Sequence, residues 1–273
     1  MSPNVDRRRA RLLIIGGAAG PGLLGRFVEL AGGPDARIVV IATASATPDA
    51  VEAAHREAFT ALGAGCVRAL RLDCRADANS PDVEPPLREA TGIFFTGGDQ
   101  ERITTVIGGT ATASVLQSRV GTGAVVRAGT SAGAAVMSGT MIVEGGSTGV
   151  SRSGVRTGPG LEFLPGVLID QHFAERGRVN RLLSAVALYP HELGLGIDED
   201  TAILADGDHF EVLGSGAVTV VDAGAALDIR VPESGPIALV GARIHVLPAG
   251  HTFHLTGRRP VVDAPVAERG PAA

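Results

Sequence analysis

One pentapeptide constrains this chain more than any other feature: Gly129-Thr130-Ser131-Ala132-Gly133, set between the β-branched pair Val125-Val126 and a run of small residues reaching Met137. The stretch Ala124–Met137 predicts a short strand, a tight turn and a helix. A serine on so sharp a turn has a strained backbone, and a side chain at Gly129 or Gly133 would collide with it. The turn lifts the hydroxyl above the sheet at a helix N-terminus, where N–H groups and the helix dipole stabilise a developing oxyanion. A Gly/Ala-rich loop or a phosphate-binding turn is the competing reading. The strand before and the helix after are the context a nucleophile requires, and Ser131 is read as one.

The rest of the chain supplies the sheet such a turn needs. Buried-type strands are expected at Leu12–Ile15, Ile38–Ala42, Val67–Leu72 and Gly92–Thr96. Helices are expected at Pro21–Ala31, with Leu23, Leu24, Phe27, Val28 and Leu30 inward, and at Asp49–Leu62, with Val51, Ala54, Ala58 and Leu62 on one face. A short helix fits Pro86–Ala90, and a helical pattern at Glu101–Ile107 continues over Thr112–Val120. This alternation predicts an α/β fold: a mostly parallel sheet with helices on both faces. The turns Gly16-Gly17, Gly97-Gly98 and Gly129-x-Ser131 then fall at carboxyl ends of strands, where such sheets bind ligands. Val143–Gly160, rich in Gly, Ser, Thr and Arg, reads as a mobile loop flanking the site. Leu161–Ile169 is apolar again, and from Ala202 onward short alternating runs predict C-terminal antiparallel hairpins. Residues 1–273 are expected to form a single α/β hydrolytic domain, with 1–10 and 258–273 as frayed tails.

Composition narrows the function. A net charge of −5 argues against a nucleic-acid binder. The longest apolar runs are strand-length, which argues against a membrane span. Behind the Arg-rich start, Leu12–Ile15 is too short for a signal peptide's apolar region, so a cytoplasmic enzyme is expected. Cys66 and Cys74 belong to no metal-spaced cluster and are read as free buried thiols. The Gly16-Gly17 turn lacks G-x-G-x-x-G, and no metal or nucleotide cofactor is called for.

A serine nucleophile needs a base, and the base needs an acid to orient it. Of the seven histidines (His55, His172, His191, His209, His245, His251 and His254), His172 stands out because it ends the apolar run Val167–Ile169. Around it Asp170, Gln171, Glu175, Arg176, Arg178 and Arg181 cluster where a strand meets a helix. A solvated helix with i,i+4 ion pairs is the plainer reading, but it does not explain that clustering. For the acid, Asp198, Glu199 and Asp200 follow another apolar segment, and sequence alone does not choose among them.

Taken together, Gly97-Gly98-Asp99-Gln100, Gly129–Ala134, Asp170–Phe173 with Arg176-Gly177-Arg178 and Arg181-Leu182, and Gly196–Glu199 resemble the cyanophycinases. These are serine peptidases of the peptidase E-like group, with a class I glutamine amidotransferase-like sheet. The likeness runs from about Leu12 to Leu255 and takes in Leu213–Val218 and His245–Gly250. It implies exopeptidase hydrolysis of cyanophycin, a poly-aspartate backbone with arginine on each β-carboxyl, to β-Asp-Arg. It implies Ser131 as nucleophile, His172 as base, Glu199 as orienting acid, and the N–H groups of Gly98 and Ala132 as oxyanion hole. Gln100, Asp170, Gln171, Arg178 and Arg181 would line the pocket, the arginines binding substrate carboxylates and Asp170 a substrate guanidinium. A homodimer is also implied. One departure is that the family's acidic residue after the first glycine pair is missing from Ala18-Ala19-Gly20. The alternatives are a peptidase E-like dipeptidase for aspartyl or isoaspartyl peptides, and a catalytically silent binding protein on the same fold. A glutamine amidotransferase is disfavoured, since neither cysteine sits at an elbow.

Overall fold

The computed structural model describes residues 11–118, 125–146 and 148–261. Five apolar segments become parallel strands: β1 (Leu12–Ile15), β2 (Arg37–Ile41), β3 (Cys66–Ala69), β4 (Gly92–Phe95) and β5 (Val126–Thr130). Next along the chain come β6 (Thr140–Gly145), β7 (Val155–Pro159), β8 (Val167–Gln171), β9 (Leu193–Ile197), β10 (Thr201–Asp206) and β11 (His209–Gly214). The last are β12 (Ala217–Asp222), β13 (Asp228–Arg230), β14 (Ala238–Val240), β15 (Arg243–Pro248), β16 (Thr252–His254) and β17 (Arg259–Val261). The helices are α1 (Pro21–Leu30), α2 (Pro48–Ala61), α3 (Arg75–Ala78), α4 (Glu84–Glu89), α5 (Gln100–Ile107), α6 (Ala111–Ser118), α7 (Ala132–Ala135) and α8 (Val179–Leu188).

Nine strands form the main sheet, in the order β17-β16-β11-β10-β1-β5-β4-β2-β3. Ile15 is level with Thr130, and Phe95 with Gly129, so the turns after β1, β4 and β5 emerge side by side. Both faces are covered, as continuous apolar strands require. Leu13, Ile15, Val40 and Phe94 pack toward α1 and α2. Leu12, Ile14, Ile41 and Phe95 face the other way, toward α5–α7 and a second sheet.

The second sheet has the order β15-β12-β9-β8, with β8 and β9 parallel. One of its faces joins the main core through Val167, Ile169, Leu195, Ile197, Val218 and Val220. Its other face buries Leu168 and Val221 against Leu182, Ala185 and Val186 of α8. The expected C-terminal hairpins are present but divide between the sheets: β10, β11 and β16 extend the main one, while β12 and β15 pair in the second.

Other expectations are corrected. Much of Val143–Gly160 is an antiparallel hairpin, β6 against β7, with a bulge between Ile142 and Glu144. The helical pattern after Ile107 breaks at Gly108-Gly109, where Gly109 takes a φ of +68°, and resumes as α6. The part predicted to reach Val120 lies outside the described residues. So do 1–10 and 262–273, whereas Arg259–Val261 of the expected tail pairs with β16. Cys66 is half-buried and Cys74 exposed, rather than both buried. No helix among the described residues is long and apolar enough to cross a membrane.

The inward face of α2 is rotated from the expected one. Ala54 is exposed and Phe59 is fully buried. The cause is aromatic: Phe59 meets Phe27 and Phe94 with ring centroids 5.4 and 5.1 Å apart, and His55 meets Phe94 at 5.2 Å. Such a cluster buries more area than the alanine stripe it displaces. Phe59→Ala is expected to cost about 3–5 kcal/mol in denaturant unfolding, and Ala54→Glu to stay within about 0.5 kcal/mol.

Candidate active site

The turn after β5 has the geometry its sequence demands. Ser131 has φ +53° and ψ −112°, a conformation that costs a non-glycine residue about 1–3 kcal/mol and persists only where its surroundings enforce it. They do so through the backbone. Ser131 N–H donates to Ile15 O of β1 at 3.1 Å, and its own carbonyl accepts from Ala134 and Ala135 at 3.0 Å each. A Cβ on Gly129 would strike the Gly133 backbone, and one on Gly133 would stand 2.8 Å from Phe95 Cβ. Each glycine therefore lets the turn close onto its neighbour.

His172 follows β8 in the second sheet and also has a positive φ, +49°. Its N–H donates to Gly16 O at 2.9 Å, which docks the end of β8 on the turn after β1. The ring lies directly over Gly17, whose φ is +147° and where any Cβ would collide with the imidazole. This use of the first glycine pair was not visible in the sequence. The ring bridges two groups: Nε2 is 2.8 Å from Ser131 Oγ, and Nδ1 is 2.6 Å from Glu199 Oε1. With Nδ1–H donated to the carboxylate, Nε2 is left to accept the serine proton. The side chain is largely buried, while Glu199 is one-third exposed.

The structure distinguishes the three carboxylates that sequence left open. Asp198 accepts from Ala174 N–H and Ala217 N–H, both at 3.0 Å. Asp200 accepts from Gly20 N–H at 2.8 Å and from Ser215 Oγ at 3.1 Å. Of the three, Glu199 reaches His172.

On the opposite side of Ser131 runs the Gly97-Gly98 turn. A Cβ on Gly97 would stand 3.4 Å from Ser131 Cβ and 3.9 Å from its Oγ. Gly98 has φ +140°, and a Cβ there would strike Ala44 O. Gly98 and Ala132, the expected N–H donors, thus belong to the two segments that flank the serine. Gln100 opens α5, and its amide donates to Val143 O at 2.6 Å and Ile142 O at 3.3 Å, which ties the β6–β7 hairpin to the site's edge. Arg156 of β7 adds a two-pronged pair to Glu101 at 2.8 Å for each bond. That pair holds the Glu101 carboxyl below its ordinary range, and sequence reasoning missed it.

Asp170, Gln171, Arg178 and Arg181 come together, but not as expected of Asp170. Its carboxylate is fully buried and taken by this chain's own Arg181, through Nε at 2.9 Å and a second bond from Nη2. It is therefore not open to a substrate guanidinium. Arg178 lies 3.4 Å from Asp170 and donates to Gln171 Oε1 at 2.8 Å and to the Gln171 carbonyl. Two guanidinium groups thus share one carboxylate. Burial, followed by the charge of Arg181, pushes Arg178 down to about 10. No group of three or more metal-ligating side chains occurs among the described residues.

Comparison with known proteins identifies the family. The model of peptidase family S51 matches residues 12–213. A cyanophycinase of Nostoc sp. is 39% identical over 259 residues, covering 92% of this chain and 87% of the relative. One of Geminocystis herdmanii is 39% identical over 264 residues, covering 93% and 96%. The crystal structure of a peptidase from an acI-B1 actinobacterium superposes with a TM-score of 0.68 over 91% of this chain and 98% of that one, at 22% identity. A putative peptidase E protein from Listeria monocytogenes gives 0.54 over 76% and 100%, at 16% identity. Both structures share the fold. The family match spans most of the chain and contains the elbow, the histidine and the glutamate, so the chain is a peptidase that belongs to peptidase family S51.

Proposed function

We propose that this protein is a serine exopeptidase that hydrolyses cyanophycin to β-Asp-Arg through an acyl-enzyme. The observation that carries the reading is the continuous relay from Ser131 through His172 to Glu199, at 2.8 and 2.6 Å, on a strained elbow. The identity to curated cyanophycinases over nine-tenths of the chain supports the substrate.

In this reading Ser131 Oγ attacks the backbone carbonyl that joins two aspartates, and His172 Nε2 takes the hydroxyl proton. Glu199 holds the ring in the required tautomer and balances its charge. The N–H groups of Gly98 and Ala132 receive the oxyanion. His172 then protonates the leaving amine, and water releases the acyl group by the reverse sequence.

Arg178 and Arg181 together carry one more charge than Asp170 neutralises, which suits a substrate carboxylate. Gln171 and Asp170 hold the two arginines in place, and Gln100 fixes the β6–β7 wall. The same reading takes the chain as one hydrolytic domain without metal or cofactor. A homodimer rests on the family resemblance.

Insoluble cyanophycin granules test the reading. The wild type should release β-Asp-Arg, detected by mass spectrometry, and Ser131→Ala should be slower by a factor of about 10³ or more. If Ser131 is labelled by a fluorophosphonate but the granules stay intact, the substrate moves to small aspartyl or isoaspartyl dipeptides. If Ser131 is not labelled at all, the enzyme reading falls. The arginine pocket predicts a separate pH effect. Arg178 is charged below about pH 10 and neutral above it, so KM should climb as pH passes through that value. Arg178→Gln should show a raised KM that no longer changes across the same range.

A further inference from the structure

The relay is drawn from two loops, and a reciprocal pair of hydrogen bonds joins them. Ala174 N–H, two residues past His172, donates to Asp198 Oδ1 at 3.0 Å. In return Glu199 N–H donates to Glu175 Oε1 at 3.2 Å. Each loop thus lends a carboxylate to the other's backbone beside its own relay residue. The second oxygen of Asp198 accepts from Ala217 N–H at the start of β12, at 3.0 Å. The Asp198 backbone closes the frame, since its carbonyl is one of the atoms that a Cβ on Gly16 would strike.

These contacts matter because the Glu199 side chain has one described partner. Glu199 stands one residue beyond Asp198, its side chain is one-third exposed, and that partner is His172 itself. A glutamate has three side-chain torsions, and left to solvent it spreads over many rotamers. The 2.6 Å separation from Nδ1 therefore depends on where its backbone is held. That placement is shared: Glu199 O accepts from Thr201 Oγ1 and Asp200 N–H donates to Gly17 O, both at 2.9 Å, while Asp198 and, through one exposed bond, Glu175 tie the segment to the His172 loop.

We infer that Asp198 is a positioning residue for the reaction, acting through Glu199, with Glu175 as its weaker counterpart on the facing loop. The inference rests on the relay reading of Ser131, His172 and Glu199. Asp198 makes no bond to Ser131 or His172. Its effect is on the geometry of the His172–Glu199 pair, and small misplacements of catalytic groups carry large rate penalties.

A double-mutant cycle on soluble β-Asp-Arg oligomers tests this, with the melting temperature of each variant recorded. Asp198→Ala should lower kcat by about 10- to 100-fold with KM within about twofold. Asp198→Asn, which keeps one oxygen acceptor, should recover part of that loss. In a Glu199→Ala background, Asp198→Ala should cost less than about threefold more, because the group it positions is gone. The fluorophosphonate labelling rate of Ser131 should follow the same cycle. Unchanged kcat, or the same fold-loss in both backgrounds, overturns the inference and leaves Asp198 a loop-holding residue only. If Asp198→Ala does not fold, Glu175→Ala on the exposed side carries the same cycle, with an expected loss of about 2- to 10-fold and the same criterion. Failure of the relay reading is distinct: Ser131→Ala would then keep wild-type turnover, whatever Asp198 does.

Discussion

The contact on which the site depends is backbone against backbone, where the turn after β1 meets the ends of β8 and β9. Gly16 has no room for a side chain because the carbonyls of Ile197 and Asp198 fill that space, and Gly17 has none because the His172 ring does. Gly16 O accepts from His172 N–H, and Gly17 O from Asp200 N–H, both at 2.9 Å. Ile15 O, one residue earlier, accepts from Ser131 N–H. Three consecutive carbonyls of one turn thus locate the serine loop, the histidine loop and the glutamate loop. This is how residues from two separate sheets come within hydrogen-bond distance, and it needs two glycines in sequence.

The strain at Ser131 follows from the same contact. A serine at φ +53° would relax if its loop were free. Instead α7 is a single turn whose four residues are all buried, wedged between Phe95 on one side and the Gly129 backbone on the other. His172 and Asp200, at φ +49° and +45°, are strained in the same sense and anchored to the same glycine turn. Three of the non-glycine positive-φ residues, Ser131, His172 and Asp200, thus sit at or beside the Ser131–His172–Glu199 contacts, and each is held by a backbone bond from outside its own loop.

What the sequence made legible was what local physics fixes. The strands Leu12–Ile15 and Gly92–Phe95 are apolar on both faces, and the elbow needs its glycines wherever it lies. The resemblance pointed to Ser131, His172 and Glu199, whereas local sequence gave Glu199 two acidic neighbours with equal claims. Non-local pairing was not legible. The β6–β7 hairpin looks like a loop because its strands are short, rich in Gly, Thr and Arg, and held to α5 by Gln100 and by the pair between Arg156 and Glu101. The face of α2 was misjudged because Phe59 is placed by Phe27 and Phe94, 32 residues before it and 35 after it in the chain. Asp170 carried an acid's usual expectation, but its partner Arg181 is presented one helix later, at the other end of a buried bond.

Two sites on this molecule place two arginines on one aspartate, and they differ in how far water reaches them. Asp222 is buried, 2.7 Å from Arg243 and paired with Arg258. Although burial opposes it, hydrogen bonds from Gly224 and Arg258 hold its carboxyl below the usual range. Arg243 is half exposed and Arg258 a quarter exposed, so water carries the extra charge. At Asp170 the arginines are only 13% and 5% exposed. Water cannot carry the surplus there, and Arg178 shows it by holding its proton less tightly than a solvated guanidinium. The ratio of charges is the same in both clusters. Desolvation, and not that ratio, sets the two clusters apart.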